Sequence, residues 1–274
     1  MSKLFVFHGA DRRVGVSMLA QSAAELLSQG RKDLKVLLVN LQGRYGTVYT
    51  SYTGESIERL RHHLDNRLVN KEELLDRCRC TENLYIIGGV SSIGEEQFYQ
   101  PEMSAYLLSL LKGEFDIILA DSGSEVGNGL ALGALVMADE IFLVVTQQES
   151  VLRRYEKLKE LYKKLKLSFP LIICSHFRDE DPYGKAYLAR RLGVDKKAIL
   201  TVAETDNGRL AEMERKTLMS YRGGLYQADV LAAANEILQR AGQPPMSRQK
   251  KGYENILSQW AFRAGGGDKW KGSI

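Results

Sequence analysis

Short apolar runs without polar alternation recur along this chain: Leu4-Phe5-Val6-Phe7, Val36-Leu37-Leu38-Val39, Leu84-Tyr85-Ile86-Ile87, Ile117-Ile118-Leu119-Ala120, Ile141-Phe142-Leu143-Val144-Val145, Leu171-Ile172-Ile173-Cys174 and Ile199-Leu200-Thr201-Val202. Runs this short and this rich in branched residues predict strands covered on both faces, as parallel strands are. The segments between them carry apolar residues at helical spacing. Residues 18–27 do so, as do Leu152, Tyr155, Leu158, Leu161, Tyr162 and Leu165, and later Leu231, Ala234, Ile237 and Leu238. Strand and helix in alternation predict an α/β fold: a doubly wound, mostly parallel sheet with helices on both faces and a site at the carboxyl ends of its strands. Gly242-Gln243-Pro244-Pro245 follows the last core helix. One domain over residues 1–241 and a C-terminal tail over 242–274 are therefore expected.

Composition narrows the class. Of 274 residues, 44% are apolar and 26% charged, the balance of a soluble globular chain. No apolar run is long enough to span a membrane. Met1-Ser2-Lys3 leads straight into a strand without a signal-peptide core, and the three cysteines (Cys78, Cys80, Cys174) are few and odd in number. Both features point to a reducing cytoplasm. Cys78-Arg79-Cys80 lacks a second ligand pair, His8, His62, His63 and His176 show no ligand spacing, and no Ser/His/Asp set stands out. His62 and His63 are expected on an exposed helix.

The candidate chemistry lies in His8-Gly9-Ala10-Asp11-Arg12-Arg13-Val14-Gly15-Val16-Ser17-Met18, between the first strand and the first helix. Strand, tight loop and helix make the frame that holds phosphates with backbone N–H groups and a helix N-terminus. Gly15 suits the close backbone approach and Ser17 the hydroxyl that can ligate magnesium, but Val16 stands where a lysine is expected between them. Arg12 and Arg13 either restore positive charge there or point to solvent. Asp121 ends the buried strand 117–120 and is followed by Ser122-Gly123, so it is either a strand-end acid near a cation or a turn residue capping the next helix. Asp116 is a strand-entry residue.

Together, these stretches resemble the MinD/ParA family of deviant phosphate-loop ATPases over residues 3 to about 240. The family loop runs Lys-Gly-Gly-Val-Gly-Lys-Ser/Thr-Thr; here residues 11–18 stand in its place, with Asp11 and Val16 at the two lysine positions. Val39-Asn40-Leu41-Gln42-Gly43 falls where the family has its first switch, with Asn40 and Gln42 replacing both acids. Neither amide can act as a general base, and Gln42 can only orient a water. Ala138-Asp139-Glu140-Ile141 matches the family's Ala-Asp-Glu strand. Residues 199–206 match its adenine-lining segment without the proline, and Ser175 and His176 fall near a base-reading position. The resemblance implies ATP or ADP with magnesium. It implies nucleotide contacts from Gly9, Asp11, Arg12, Arg13, Val14, Gly15, Val16, Ser17, Met18, Ser175, Ala203 and Glu204, and magnesium at Ser17 and, through water, Asp121. It also implies a homodimer.

Within that family, Leu-x-x-x-Tyr-Gly at 41–46 and the stretches 72–76 and 84–89 resemble CpaE/TadZ-like proteins of pilus assembly. That likeness implies a protein partner in a secretion, pilus or positioning system, and cytoplasmic placement with peripheral contact at the inner face of the cell membrane. A receiver-like domain often precedes such proteins, and no room for one is seen here.

Charge is uneven. The net charge is +4, and residues 241–274 hold six Lys or Arg against two acids, so the rest of the chain is neutral. In the tail, Tyr253, Ile256, Leu257 and Trp260 fall on one side of a short helix, preceded by Arg248, Lys250 and Lys251. Such a segment docks on a membrane or partner, or straps onto its own body. The helix expected over 150–166 carries seven basic residues against two acids, which suits either a solvated face or DNA phosphates. Three functions are left open: a nucleotide-dependent dimeric switch or scaffold with weak or no hydrolysis, a DNA-partition ATPase, and a scaffold that binds no nucleotide.

Overall fold

The computed structural model describes residues 2–45, 49, 52, 54–221 and 224–247. In chain order the elements are β1 (Lys3–Gly9), α1 (Val16–Gly30), β2 (Val36–Asn40), α2 (Ile57–Asp65), α3 (Lys71–Cys78), β3 (Leu84–Ile87), α4 (Pro101–Leu111), β4 (Ile117–Asp121), α5 (Gly129–Met137), β5 (Glu140–Val145), α6 (Glu149–Lys164), β6 (Leu171–Phe177), α7 (Lys185–Leu192), β7 (Ile199–Ala203), α8 (Gly208–Glu214) and α9 (Gly224–Arg240). Each of the seven apolar runs is a strand. They form one sheet in the order β3-β2-β4-β1-β5-β6-β7, with every neighbouring pair parallel.

Parallel strands need crossovers, and right-handed crossovers sort the helices by direction of travel. The step from β1 through α1 to β2 moves toward the β3 edge. The steps from β4 through α5, β5 through α6 and β6 through α7 move the other way. The helices of the two sets therefore lie on opposite faces, and α1 shares its face with α9. The direction of connection reverses between β4 and β1, which opens a crevice at their carboxyl ends. Gly9 and Asp121 end those two strands.

The core follows from burial on both faces. Phe5, Phe7 and Phe142 are fully buried, and the Phe142 ring lies 5.5 Å from Phe5 and 5.3 Å from Phe7. Side-chain caps set several helix starts: Ser56 accepts from the Arg59 N–H, Asn70 from Glu73 and Asn128 from Ala131. Asp116 takes the Lys35 N–H at 2.8 Å at the entry to β4. His62 and His63 lie exposed on α2, as expected. Cys78 and Cys174 are buried and Cys80 half-buried, all free, and no metal-holding cluster occurs among the described residues. Among those residues no helix is long and apolar enough to cross a membrane.

Beyond α9 the chain turns back onto the body. Arg31 donates to the Pro244 carbonyl at 2.7 Å and to Gln243 at 3.1 Å. Asn235 binds both the N–H and the carbonyl of Met246, at 2.7 and 3.1 Å. Residues 243–246, the start of the expected tail, are thus held beside the C-terminal end of α1. Arg248, Lys250, Lys251, Ile256, Leu257 and Trp260 lie outside the described residues.

One buried acid makes the α1–α9 face sensitive to pH. Glu25 accepts hydrogen bonds from Thr217 and, at 3.2 Å, from Gln21. Burial outweighs both and pushes its carboxyl up to about 7. A carboxyl raised in the fold is protonated there while its unfolded counterpart ionises near its ordinary value of 4.5. Folding is therefore favoured at low pH and loses that contribution as pH rises from 4.5 to about 7. Glu25→Gln removes the titration. Relative to that variant, the wild-type chain is expected to lose up to about 3 kcal/mol across this window, at about 1.4 kcal/mol per unit. Urea unfolding of both at several pH values measures it; a pH-independent difference would contradict the assignment.

Candidate functional site

Between β1 and α1 the loop closes tightly. The Gly9 N–H donates to Gly123 at 2.7 Å and that of Ala10 to Val144 at 2.9 Å, anchoring the loop to β4 and β5. A Cβ on Gly9 would lie within 2.9 Å of Val16, Asp11 and Val14, so only glycine fits. Arg13 and Gly15 both have positive φ, at 59° and 83°. Arg13 thus takes the backbone shape of a loop glycine while carrying a side chain. Among the described residues, nothing accepts from the backbone N–H groups of residues 13–17. These amides and the N-terminus of α1 form a cradle for an anion.

Side chains expected at the nucleotide divide into several groups. Val14 is buried, and its carbonyl accepts from Ser175 Oγ at 2.5 Å; Ser175 also reaches the Val145 carbonyl at 3.2 Å. Ser175 therefore braces the loop from below. Met18 turns inward, its sulfur taking the Leu218 N–H at 3.2 Å. Val16 is buried and supplies no charge. Ala203 and Glu204 lie at the end of β7: the Ala203 N–H binds Asp229, and Glu204 pairs with Arg178. The exposed His176 has φ 48° and lies 3.6 Å from where a Gly15 Cβ would be.

Charge at the loop is organised around an acid that sequence patterns did not single out. Glu125 meets Arg12 at 2.9 Å, Arg154 at 3.2 Å and Arg44 at 3.7 Å, and Arg154 also meets Asp11 at 3.5 Å. Arg154, on the first turns of α6, also donates to the carbonyls of Ala10 and Ser124. Three guanidinium groups against two carboxylates leave one positive charge beside the cradle. Arg12 is thus paired while Arg13 is exposed, and Asp11 is paired within its own chain.

The other half of the site is held by one amide. Asp121 is 2% exposed. One carboxylate oxygen accepts from the Gly123 N–H at 2.9 Å and the other from Gln42 Nε2 at 2.8 Å. The same Nε2 donates to Ser17 Oγ at 2.8 Å. Burial raises the Asp121 carboxyl above its ordinary range, opposed by hydrogen bonds from Ser17, the Gly123 amide and Gln42 and by the charge of Arg44. Ser17 and Asp121 come together, as expected of magnesium ligands, but one N–H₂ group donates to both. Magnesium needs six oxygen ligands at about 2.0–2.1 Å. A nitrogen donating both hydrogens to the same two oxygens is the opposite kind of group, so these residues as arranged do not fit the ion.

Two further features escaped sequence analysis. His8, buried at the end of β1, lies between Ser122 Oγ at 3.0 Å and the Tyr162 hydroxyl at 3.2 Å. Burial, and then the charge of Arg154, pushes its imidazole down to about 4, so it is neutral beneath the loop. A cleft of about 720 Å³ opens beside Ser17 and Asp121 toward the ends of β2 and β3, lined among others by Asn40, Arg44, Glu58 and Arg59.

Neither a protein-family model nor a curated protein matches the sequence. Solved structures do. A ParA family ATPase from Chlorobium tepidum superposes with a TM-score of 0.74 at 18% identity, covering 85% of this chain and 99% of its own. A Borrelia burgdorferi plasmid partition protein bound to AMPPNP gives 0.59 at 19% identity, over 88% and 99%. The septum site-determining protein MinD from Pyrococcus horikoshii, complexed with Mg-ADP, gives 0.62 at 20% identity, over 88% and 98%. At these identities the likeness establishes the fold: this chain has the parallel α/β architecture of ParA and MinD ATPases.

Proposed function

We propose that this chain is a nucleotide-binding protein that works as a dimeric switch or scaffold, with slow ATP hydrolysis or none. The observation that carries this is the cradle of free backbone amides at residues 13–17, set on the N-terminus of a long helix in a fold otherwise seen holding AMPPNP and Mg-ADP. Phosphates would be held by those amides and the helix dipole. Transfer of a phosphoryl group needs more. Val16 offers no cation for charge developing in the transition state, and Asn40 and Gln42 offer no base. Gln42, expected at most to orient a water, already spends both amide hydrogens on Ser17 and Asp121.

The loose likeness to CpaE/TadZ-like proteins over residues 41–46 and 72–89 supports a place in pilus or secretion-system assembly or localisation. A role in DNA partition is disfavoured by α6. Arg153 pairs with Glu149, Arg154 with Glu125, and Lys163 with Glu160, while Lys159 binds a carbonyl of α7. Much of its charge is thus spent within the chain.

Gly15 gives the cleanest test of the cradle. Its left-handed backbone tolerates Asn or Asp, and a Cβ there meets neighbours only at ordinary contact, 3.6 Å and beyond. ADP or ATP is expected to raise the melting temperature of wild-type protein and Gly15→Asn. With Gly15→Asp, whose carboxylate repels phosphate, affinity should fall at least about tenfold, or 1.4 kcal/mol. No shift with any nucleotide would leave the chain a scaffold without nucleotide. Turnover above about 1 per minute would contradict slow hydrolysis, since phosphoryl-transfer enzymes reach far higher rates.

Because Asp11 cannot bridge to a partner's phosphate as a lysine does, a dimer through the loop face should depend on nucleotide only weakly, and light scattering should give a dimer mass with and without nucleotide. A monomer in both conditions removes the dimer. For the tail, Trp260→Glu and Lys250→Glu/Lys251→Glu should each weaken sedimentation with anionic vesicles if it meets a membrane, at about 1 kcal/mol per lost basic contact. Indifference of the full chain to such vesicles rules that surface out.

A further inference from the structure

We propose that the side-chain amide of Gln42 is this chain's built-in substitute for a divalent cation, so that the loop binds polyphosphate without metal. Three contacts fix the amide in place. The Gln42 backbone N–H donates to Asn40 Oδ1 at 3.2 Å, setting the bend after β2. Its stem passes Gly123, which has φ 60° and where a Cβ would come within 3.1 Å of Gln42 Cγ. Its head donates to Ser17 Oγ and Asp121 Oδ2, both at 2.8 Å. Gln42 is itself buried.

A primary amide nitrogen carries two hydrogens and accepts none. Here each hydrogen answers one oxygen that a cation would otherwise bridge, and the buried carboxylate has its donor before any ligand arrives. A divalent ion entering this point must displace the amide from both partners. The cation in turn brings nothing the loop lacks structurally, because Ser17 and Asp121 are already joined. Charge at the cradle comes instead from the Arg12, Arg44 and Arg154 group, which is in place without metal.

The proposal is tested on the full chain in two arms. In the first, nucleotide is absent and manganese binding is followed by EPR, with magnesium-dependent melting alongside. Wild-type protein is expected to bind no manganese at millimolar concentration, and magnesium should leave its Tm unchanged. Gln42→Asp should bind one manganese ion, and magnesium should raise its Tm by about 3 °C or more. Gln42→Ala, which only shortens the side chain, covers the case in which a second buried acid prevents folding, and should also gain manganese binding. Wild-type affinity for manganese within about threefold of either variant overturns the proposal, as does failure of both variants to bind it. The second arm rests on the nucleotide-binding function proposed above. ADP affinity by calorimetry should agree within about threefold in magnesium and in EDTA, and a loss of more than about tenfold in EDTA overturns metal independence. Absence of ADP binding in both buffers counts against nucleotide binding, while the manganese arm still decides what Gln42 does.

Discussion

A carboxylate buried at the end of a central strand has to be answered by a donor, and the geometry around Asp121 follows from that need. Isolated, its charge would carry a large desolvation cost. The fold meets it with a backbone amide from the turn that follows and a side-chain amide from the neighbouring strand end. The second of these draws the bend after β2 toward α1 and closes the gap between Ser17 and Asp121. Strand order makes this possible: β4 lies between β1 and β2, so one acid reaches both the loop and the bend after β2.

The loop shows a related exchange. Asp11 and Val16 bring no cation to the loop, yet positive charge lies beside it. It comes from arginines of the loop, of the segment after β2 and of α6, gathered on Glu125. Charges spread over three elements also hold those elements together, whereas a lysine within the loop mainly serves what it binds. The neutral His8 below, between Ser122 and Tyr162, keeps a further positive charge out of the core.

Most of the architecture was legible in the sequence because a strand covered on both faces leaves a local signature. Seven apolar runs were enough to give a mostly parallel sheet, and the loop after the first of them gave the place of the site at the strands' carboxyl ends; the strand order and its reversal between β4 and β1 came only with the structure. The contacts that define the site were less legible. Nothing local marks Glu125 as the partner of Arg154, 29 residues later, or Gln42 as the partner of an acid 79 residues away. An amide that bridges two oxygens and one that orients a water look the same in a sequence. Ser175 was placed near the nucleotide by the family pattern, and only the packing of β6 under the loop shows its hydroxyl engaged with Val14 and Val145. Gln243 and Pro244 read as punctuation, since the arginine that binds them lies more than two hundred residues earlier.

That anchoring by Arg31 and Asn235 fixes residues 243–246 at one end of the body. They lie beside Gly30, at the far end of α1 from Val16, and a helical rise of about 1.5 Å per residue puts the two ends about 21 Å apart. The molecule is bipolar, with its anion cradle at one pole and residues 243–246 at the other. Two copies meeting at their cradles would therefore keep both anchored segments, residues 243–246, on their outer sides, and leave the meeting face to the loops alone.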